Sequence, residues 1–584
     1  MRHEKSLLEK LREIAYKYAL LNAYKHSGKA ELKPVISKVI AELPEVRKNI
    51  REVLNVVKNV ISEVNKLSIA EQERILKENW PELLEIRKEE EKKLPPLPRA
   101  ELGKVVTRFA PNPDYTIHLG NARPALLSYW YAEMYKGRLV LRFEDTDPRT
   151  KAPFPEAYEK IKEDLRWLGI KWDEEYIQSL RLPIFYEVAK ELIAKGGAYV
   201  DRCSAELFRK YRDSGRACPH RNLAVDKQLE EFDKVLEGYY GEGEAAIRIK
   251  TDITHPDPSI RDWVALRIID TSKTPHPLVG DRYILWPTYN FAAAVDDHLM
   301  RITHILRAKE HITNTIKQKY LYDHMGWKYP ETIHFGRLSL EGIILSKSKM
   351  RKMIKEYGME PYSDPRFGTL SGLKRRGITR EAIWEIVRSV GIKSIDAEIS
   401  FANLAAINRS IIDPIAKRYM AIEKPIPLVF ELEKPVTAYV IRHPSTGEKQ
   451  SYTFDKGKHI VYISAKDYSI IKNKVFRLMG MANFTIQERI ELNGNTGYKA
   501  EVISFSPEEA KKRKYPIIQW VKLEEAIGLD LLIPKGMEII YRKLLVERYI
   551  SERKPGDHVQ LYRIGFAKID HKSSEKITCI FTHS

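Results

Sequence analysis

The residues best equipped for chemistry fall in four places along the chain. His118-Leu119-Gly120-Asn121 comes after the β-branched run Val105-Val106-Thr107 and the prolines Pro111 and Pro113, and it leads into Ala122-Arg123-Pro124-Ala125-Leu126-Leu127, which starts a helix. Such a strand-to-helix turn aims free N–H groups and the positive helix end outward, and a glycine lets a phosphate approach the backbone. Taken alone the tetrapeptide reads equally well as a loop histidine. Glu144-Asp145-Thr146-Asp147 closes the apolar run 138–143, where carboxylates either receive an ammonium group or cap the next turn. Tyr289, Ala293 and Asp296/Asp297 lie about a helical turn apart, and Arg307 ends the strand-like run Ile302–Arg307. Its guanidinium fork suits a carboxylate; otherwise it is a surface residue. Ser346-Lys347-Ser348-Lys349 sets hydroxyls beside lysines, which suits charge moving toward a leaving pyrophosphate, or else forms a solvated basic loop.

The elements that must position these groups read as alternating strands and helices. Residues 104–109 and 138–143 predict strands, and 122–136 and 155–168 predict helices, the second ending at Gly169. That βαβ order implies a Rossmann-like parallel sheet whose C-terminal edge collects ligands. Ahead of it, residues 1–93 form a helical extension, with Leu7, Leu8, Leu11, Ile14, Ala15 and Tyr18 on one face and Val53, Val57, Val60 and Val64 on another. Residues 85–93 read as a solvated helix end, and the proline-rich stretch 94–103 as a stiff linker. We place the catalytic domain at 104–340, with a loosely patterned insertion at about 180–285, and a helical, basic region at 341–424. Residues 425–584 are β-rich, with turn-bounded runs such as Thr437–Arg442, His459–Ile463 and Tyr498–Phe505 that favour barrels or sandwiches. Lys511-Lys512-Arg513 and Gln519-Trp520 mix basic, polar and aromatic groups there, a combination suited to unstacked bases.

With 99 Lys and Arg against 80 Asp and Glu, the net charge is +19 over 584 residues, so a polyanionic partner is expected, nucleic acid above all. Three cysteines make no disulfide framework, and neither a secretory leader nor an apolar membrane-length run is present in the sequence, so a cytoplasmic protein is expected. Cys203, Cys218 and His220 supply three zinc-type donors at irregular spacing, one short of a tetrahedral set, so unliganded thiols are expected.

Arg108-Phe109-Ala110-Pro111-Asn112-Pro113 leading into His118-Leu119-Gly120-Asn121 resembles the HIGH-type signature of class I aminoacyl-tRNA synthetases in its glutamyl form. Ile344-Leu345-Ser346-Lys347-Ser348 is similar to the KMSKS signature, and 141–147 and 287–299 match the same subgroup in the same order. The resemblance extends from 104 nearly to the C-terminus. The helical extension and all-β C-terminus resemble the archaeal type, which implies anticodon-binding barrels at 425–584, an acceptor-end-binding insertion and a tRNA-stem-contacting region after the lysine signature. The resemblance further implies activation of L-glutamate by ATP with Mg2+, then transfer to a terminal ribose hydroxyl of tRNA(Glu), and of tRNA(Gln) as well. Glutaminyl-tRNA synthetase is the nearest alternative, followed by an inactive tRNA-binding paralogue. By resemblance, Arg108, Ala110, Glu144, Tyr289 and Arg307 hold glutamate, with Arg307 on its side-chain carboxylate and Glu144 on its ammonium. His118, Gly120, Asn121, Ser346 and Lys347 hold ATP, and His118, Asn121, Lys347 and Ser348 serve the chemical step. Lys511, Lys512, Arg513 and Gln519 are the candidate tRNA contacts. Asn121 stands where the signature has histidine, and Ile344 and Leu345 depart from the first two positions of the lysine motif. A monomer is expected, with the helical extension available for protein docking.

Overall fold

The computed structural model describes residues 7–25, 28–80, 94–343, 349–350, 352–353, 356, 362–443, 445–492, 494–573 and 576–584. It separates into two compact units, Met1–Lys93 and Leu94–Ser584. In the first, helices α1 (Leu7–Lys25), α2 (Leu32–Glu42), α3 (Ile50–Val64) and α4 (Ile69–Asn79) enclose an aliphatic core. The α3 valines are all buried as their spacing requires. On α1 the buried stripe is Leu11, Ala15 and Ala19, whereas Leu7 and Leu8 are exposed, so the apolar face begins one turn later than the sequence implied. Ser68 and Glu71 close a capping box that starts α4. The segment 85–93 lies outside the described residues.

In the second unit the strands β1 (Val106–Phe109), β2 (Arg138–Phe143) and β3 (Glu174–Ile177) form a parallel sheet. Helices α5 (Leu119–Met134) and α6 (Pro155–Trp167) make its crossovers, so the βαβ reading holds, with α5 starting three residues early. The stretch that looked loosely patterned is an ordered α/β body. Its antiparallel sheet is β4 (Ala198–Asp201), β5 (Ala246–Ile249), β6 (Val264–Ile268) and β7 (Leu285–Pro287), and helices α7 (Leu182–Ala194), α8 (Ala205–Asp213) and α9 (Val225–Leu236) accompany it. Phe185, Phe232, Trp263 and Trp286 are among the side chains in its core. Helix α10 (Tyr289–Leu299) then returns the chain to β8 (His304–Ala308), which pairs in parallel with β9 (Glu331–Phe335) across helix α11 (Ile312–Met325). The Thr303 N–H donates to the Val106 carbonyl, setting β8 beside β1.

Strand β10 (Leu338–Glu341) pairs in parallel with β11 (Ala397–Ser400), and between them lie α12 (Leu370–Arg376) and α13 (Arg380–Val390), with α14 (Phe401–Ile412) following. Beyond that, two curled seven-stranded sheets and the hairpin Val436–His443/Glu448–Phe454 make up the C-terminal region. One sheet is built around Pro425–Leu432, Gly457–Ser464, Asn483–Leu492 and Asn495–Ser504, the other around Ala526–Lys535, Glu538–Glu547, Gly565–Lys572 and Lys576–His583. A buried fork joins the hairpin to the second sheet: Arg442 donates to both Glu547 oxygens at 2.7 and 2.8 Å and to the Tyr452 hydroxyl at 2.9 Å. No helix among the described residues is long and apolar enough to cross a membrane.

Both charges of that fork are almost solvent-free, so removing one strands the other. Glu547→Ala is expected to lower unfolding stability by about 3–5 kcal/mol, read as a fall in denaturation midpoint. A loss below about 1 kcal/mol would show that the fork does not hold the two layers together.

Candidate active site

A cleft of about 840 Å3 opens at the C-terminal edge of β1, β2 and β8 and brings together residues far apart in sequence. Its lining includes Arg108, Ala110, His118, Gly120, Asn121, Glu144, Tyr289 and Arg307, all of them expected from the sequence. Three layers of side chains shape it.

The first layer is a buried charge network. Asp297, on the inner face of α10, accepts from Arg108 Nε at 3.1 Å and from Arg142 at 2.7 Å through the same carboxylate oxygen. Arg142 also donates to Glu144 at 2.9 Å. Burial opposes ionisation of Asp297, but Arg108 and Arg142 outweigh it and hold its carboxyl below the usual range. Burial pushes the Glu144 carboxyl up, countered by the same two arginines. Arg108, Arg142, Asp297 and Glu144 thus bring two positive and two negative charges together, with Glu144 facing the cleft.

The second layer surrounds Arg307, 5% exposed at the end of β8. Its guanidinium donates to Gln318 Oε1 at 3.1 Å, to Thr315 Oγ1 at 2.5 Å and to the Tyr329 hydroxyl at 3.0 Å, while its buried Nε has no hydrogen-bond partner. Among the described residues no carboxylate pairs with it. A buried cation held only by neutral acceptors is costly unless a ligand brings the anion. His311 stands beside it, its ring 5.8 Å from that of Tyr289. Burial, reinforced by Arg307, pulls the His311 pKa down to about 4, so the imidazole is neutral near pH 7. The Tyr289 hydroxyl is pushed up by burial and then by Glu144.

The third layer is the turn into α5. His118 is the N-cap: its Nδ1 accepts the Gly120 N–H at 3.1 Å, and Asn121 Oδ1 accepts the His118 N–H at 3.1 Å. With Nδ1 used as an acceptor, the neutral ring carries its proton on Nε2. Asn121 therefore has a local job, closing a capping box, which accounts for an amide where the signature carries an imidazole. A Cβ at Gly120 would stand 2.8 Å from the His118 ring and 3.3 Å from the Leu338 carbonyl. Glycine is required because the histidine folds back over it and β10 passes alongside. Below the turn, buried Arg123 donates to the carbonyls of Gly336, Gly391 and Lys393.

The lysine signature, Ile344 to Ser348, lies outside the described residues, and with it the roles expected of Ser346, Lys347 and Ser348. Lys511, Lys512 and Arg513 lie on the short helix Pro507–Arg513 and are exposed. Gln519 does not join them: it is 5% exposed, and its Oε1 accepts the Ala421 N–H at 3.3 Å, a correction to its reading as a surface contact. The sequence reading also missed Thr315 and Gln318, although their i, i+3 spacing places them on one face of α11, and it gave no role to His311.

One cluster lies apart from the cleft. Asp201, Cys203, Cys218 and His220 bring their donor atoms within 4.8 Å of one another. Cys203 Sγ lies 3.5 Å from His220 Nδ1, Cys218 Sγ 3.6 Å from Asp201 Oδ1, and His220 Nδ1 3.3 Å from that same oxygen. Arg248 holds the other Asp201 oxygen at 2.6 Å. Around a tetrahedral zinc with ordinary bond lengths, such donors stand about 3.3–3.8 Å apart. Asp201 is the fourth donor that the count of cysteines and histidines lacked.

Comparison with known proteins agrees with this geometry. The family profile "tRNA synthetases class I (E and Q), catalytic domain" matches residues 104–414, and two anti-codon binding domain profiles of the same group match 416–504 and 517–570. The chain belongs to the class I tRNA synthetases of the E and Q group. Full-length relatives narrow this to the archaeal glutamate–tRNA ligases. The protein of that name from Staphylothermus marinus is 66% identical over 97% of this chain and all of its own, and that from Ignicoccus hospitalis is 53% identical over 98% of this chain and all of its own. A solved glutamate tRNA ligase from Elizabethkingia meningosepticum aligns with 54% of this chain and 70% of its own at 24% identity, with a TM-score of 0.39.

Because Arg307 is buried with no anion beside it among the described residues, Arg307→Met is expected to raise the stability of the unliganded protein by about 1–2 kcal/mol, read as a higher melting temperature. A marked fall instead would mean that the neutral shell alone supports the cation.

Proposed function

We propose that the chain is a glutamate–tRNA ligase that activates L-glutamate with ATP and transfers the glutamyl group from the adenylate to the terminal ribose hydroxyl of tRNA(Glu), and also of tRNA(Gln). The observation that carries this reading is Arg307, a buried guanidinium in the cleft whose partners among the described residues are all neutral. A glutamate side chain supplies its missing anion, whereas a glutamine amide leaves the charge unpaired. On this reading Glu144 receives the α-ammonium, Arg108 and Tyr289 fix the α-carboxylate end, and Ala110 lets the backbone lie close. Asp297 already occupies Arg108, so that guanidinium is oriented in advance.

The nucleophile in the first step is a carboxylate that is ionised already, so no general base is needed. Its oxygen attacks the α-phosphorus, the bond to the bridging oxygen breaks, and pyrophosphate leaves. His118, Gly120 and Asn121 form the floor for ATP at the positive end of α5. Ser346, Lys347 and Ser348 are assigned to the pyrophosphate, where lysine follows the moving charge. Magnesium bound with ATP would neutralise phosphate charge, and no side chain of the cleft is assigned to hold it. In the second step a ribose hydroxyl of the tRNA terminus attacks the carbonyl carbon and AMP leaves. Lys511, Lys512 and Arg513 are assigned to the tRNA backbone and Gln519 to holding the sheet. The setting is the cytoplasm; the chain acts as a monomer, and its helical extension serves for protein docking.

The four-donor cluster fits zinc, and on this reading Asp201, Cys203, Cys218 and His220 would hold a structural zinc ion in place of the expected free thiols. In the metal-free state burial, then Asp201, pushes the Cys203 thiol up to about 12.

In tRNA-dependent ATP–pyrophosphate exchange, glutamate is expected to support turnover and glutamine to fail; equal or faster exchange with glutamine makes the glutaminyl rival the better reading. Arg307→Ala should lower kcat/KM for glutamate by at least about 100-fold, and an unchanged value refutes the clamp. Charging of purified tRNA transcripts should succeed for both tRNA(Glu) and tRNA(Gln), and failure on the second makes the enzyme discriminating. Elemental analysis of protein purified without added metal should find close to one zinc per chain, and a chain without zinc restores free thiols.

A further inference from the structure

One buried carboxylate has no place in the chemistry above. Asp164, on α6, is 2% exposed and, among the described residues, makes no ion pair. Its two oxygens are taken by hydroxyls from separate parts of the chain. Thr116 Oγ1 donates to Oδ2 at 2.7 Å and Ser371 Oγ donates to Oδ1 at 2.6 Å. As a stabilising device this is poor, since two neutral hydroxyls repay little of the cost of burying a charge. Burial duly pushes the Asp164 carboxyl up to about 6.

What the carboxylate joins is informative. Thr116 stands two residues ahead of His118. The backbone on either side of that histidine is laced to the start of α12: the Leu370 N–H donates to the Ile117 carbonyl at 3.1 Å, and the Leu119 N–H to the Gly368 carbonyl at 3.0 Å. Ser371 is the second residue of α12 and therefore a firm post. Thr369 caps that helix at one end. At the other, Arg375 forks onto Asp570 at 2.9 and 2.8 Å, and Thr582 Oγ1 donates to the Arg376 carbonyl at 2.8 Å. Thr116 is thus held on one carboxylate with a residue whose helix is anchored at both ends.

We propose that Asp164 is a positioning residue for ATP: by clamping Thr116 to Ser371 it fixes the height and tilt of the His118–Asn121 turn beneath the nucleotide. Asp164 touches neither substrate. It acts through Thr116 on where His118 and the Gly120 N–H stand, and a misplacement of an ångström there is enough to cost an order of magnitude or more. The proposal rests on the assignment of this turn to ATP made above.

The test is steady-state pyrophosphate exchange by the full-length protein, with ATP and glutamate varied separately in the presence of tRNA. Asp164→Ala is expected to raise KM for ATP about tenfold while KM for glutamate stays within about twofold. Thr116→Val and Ser371→Ala each remove one hydroxyl and should shift KM for ATP in the same direction by a few-fold. Asp164→Asn, which still accepts through its amide oxygen, should recover much of the loss. If Asp164→Ala does not fold, the Thr116→Val/Ser371→Ala double variant decides the matter in its place. An unchanged KM for ATP, or parallel losses for both substrates that follow the fall in melting temperature, would overturn the proposal. Absence of ATP–pyrophosphate exchange in the wild-type protein overturns the assignment of the turn to ATP, and the positioning role with it.

Discussion

The site depends on a division of buried charge. Asp297 neutralises Arg108 and Arg142, and Glu144 balances what remains, so one wall of the cleft holds its charges fully paired. Among the described residues Arg307 receives no such partner; its donors end on an amide, a hydroxyl and a phenol. In a low-dielectric cleft an unpaired guanidinium is a strong demand for one anion of one shape, and neutral analogues pay the full cost of leaving it unmet. The burden of choosing the side chain thus falls on Arg307, while the balanced network keeps Arg108 and Glu144 aimed at groups that every amino acid carries.

The fold arranges for these residues to meet. Arg108, Glu144 and Arg307 leave β1, β2 and β8 at the same edge of a parallel sheet, and α10 and α11 stand over that edge with Asp297, Thr315 and Gln318. The turn into α5 completes the floor, with Gly120 allowing the His118 ring and β10 to share one small space. Such placement is the ordinary advantage of an open parallel sheet, which gathers the ends of distant strands into a single crevice.

Much of this was legible in the sequence. Strands 104–109 and 138–143 and helix 155–168 were readable because continuous apolar runs bounded by glycine and proline leave few alternatives. The glutamate-side and nucleotide-turn residues named from the sequence line one cleft because the motif spacing already encodes the sheet edge. What escaped was tertiary. The insertion reads loosely because its four strands are short and pair across long separations, so no periodicity accumulates in a local window. Asp201 was passed over because an aspartate beside cysteines looks like any other until the fold brings it to them. Thr315, Gln318 and Tyr329 are neutral residues whose importance comes only from what Arg307 lacks. Gln519 was misplaced because a polar residue next to tryptophan looks exposed, whereas its amide satisfies a buried backbone N–H.

The central claim is that Arg307 makes the cleft read a negative charge on the side chain. It is tested most directly by calorimetric titration of the wild-type protein with two non-reactive sulfamoyl analogues of the adenylate, one carrying glutamyl and the other glutaminyl. The account predicts that the glutamyl analogue binds at least about 100-fold more tightly, a difference of about 2.7 kcal/mol. Equal affinities, or tighter binding of the glutaminyl analogue, would contradict it.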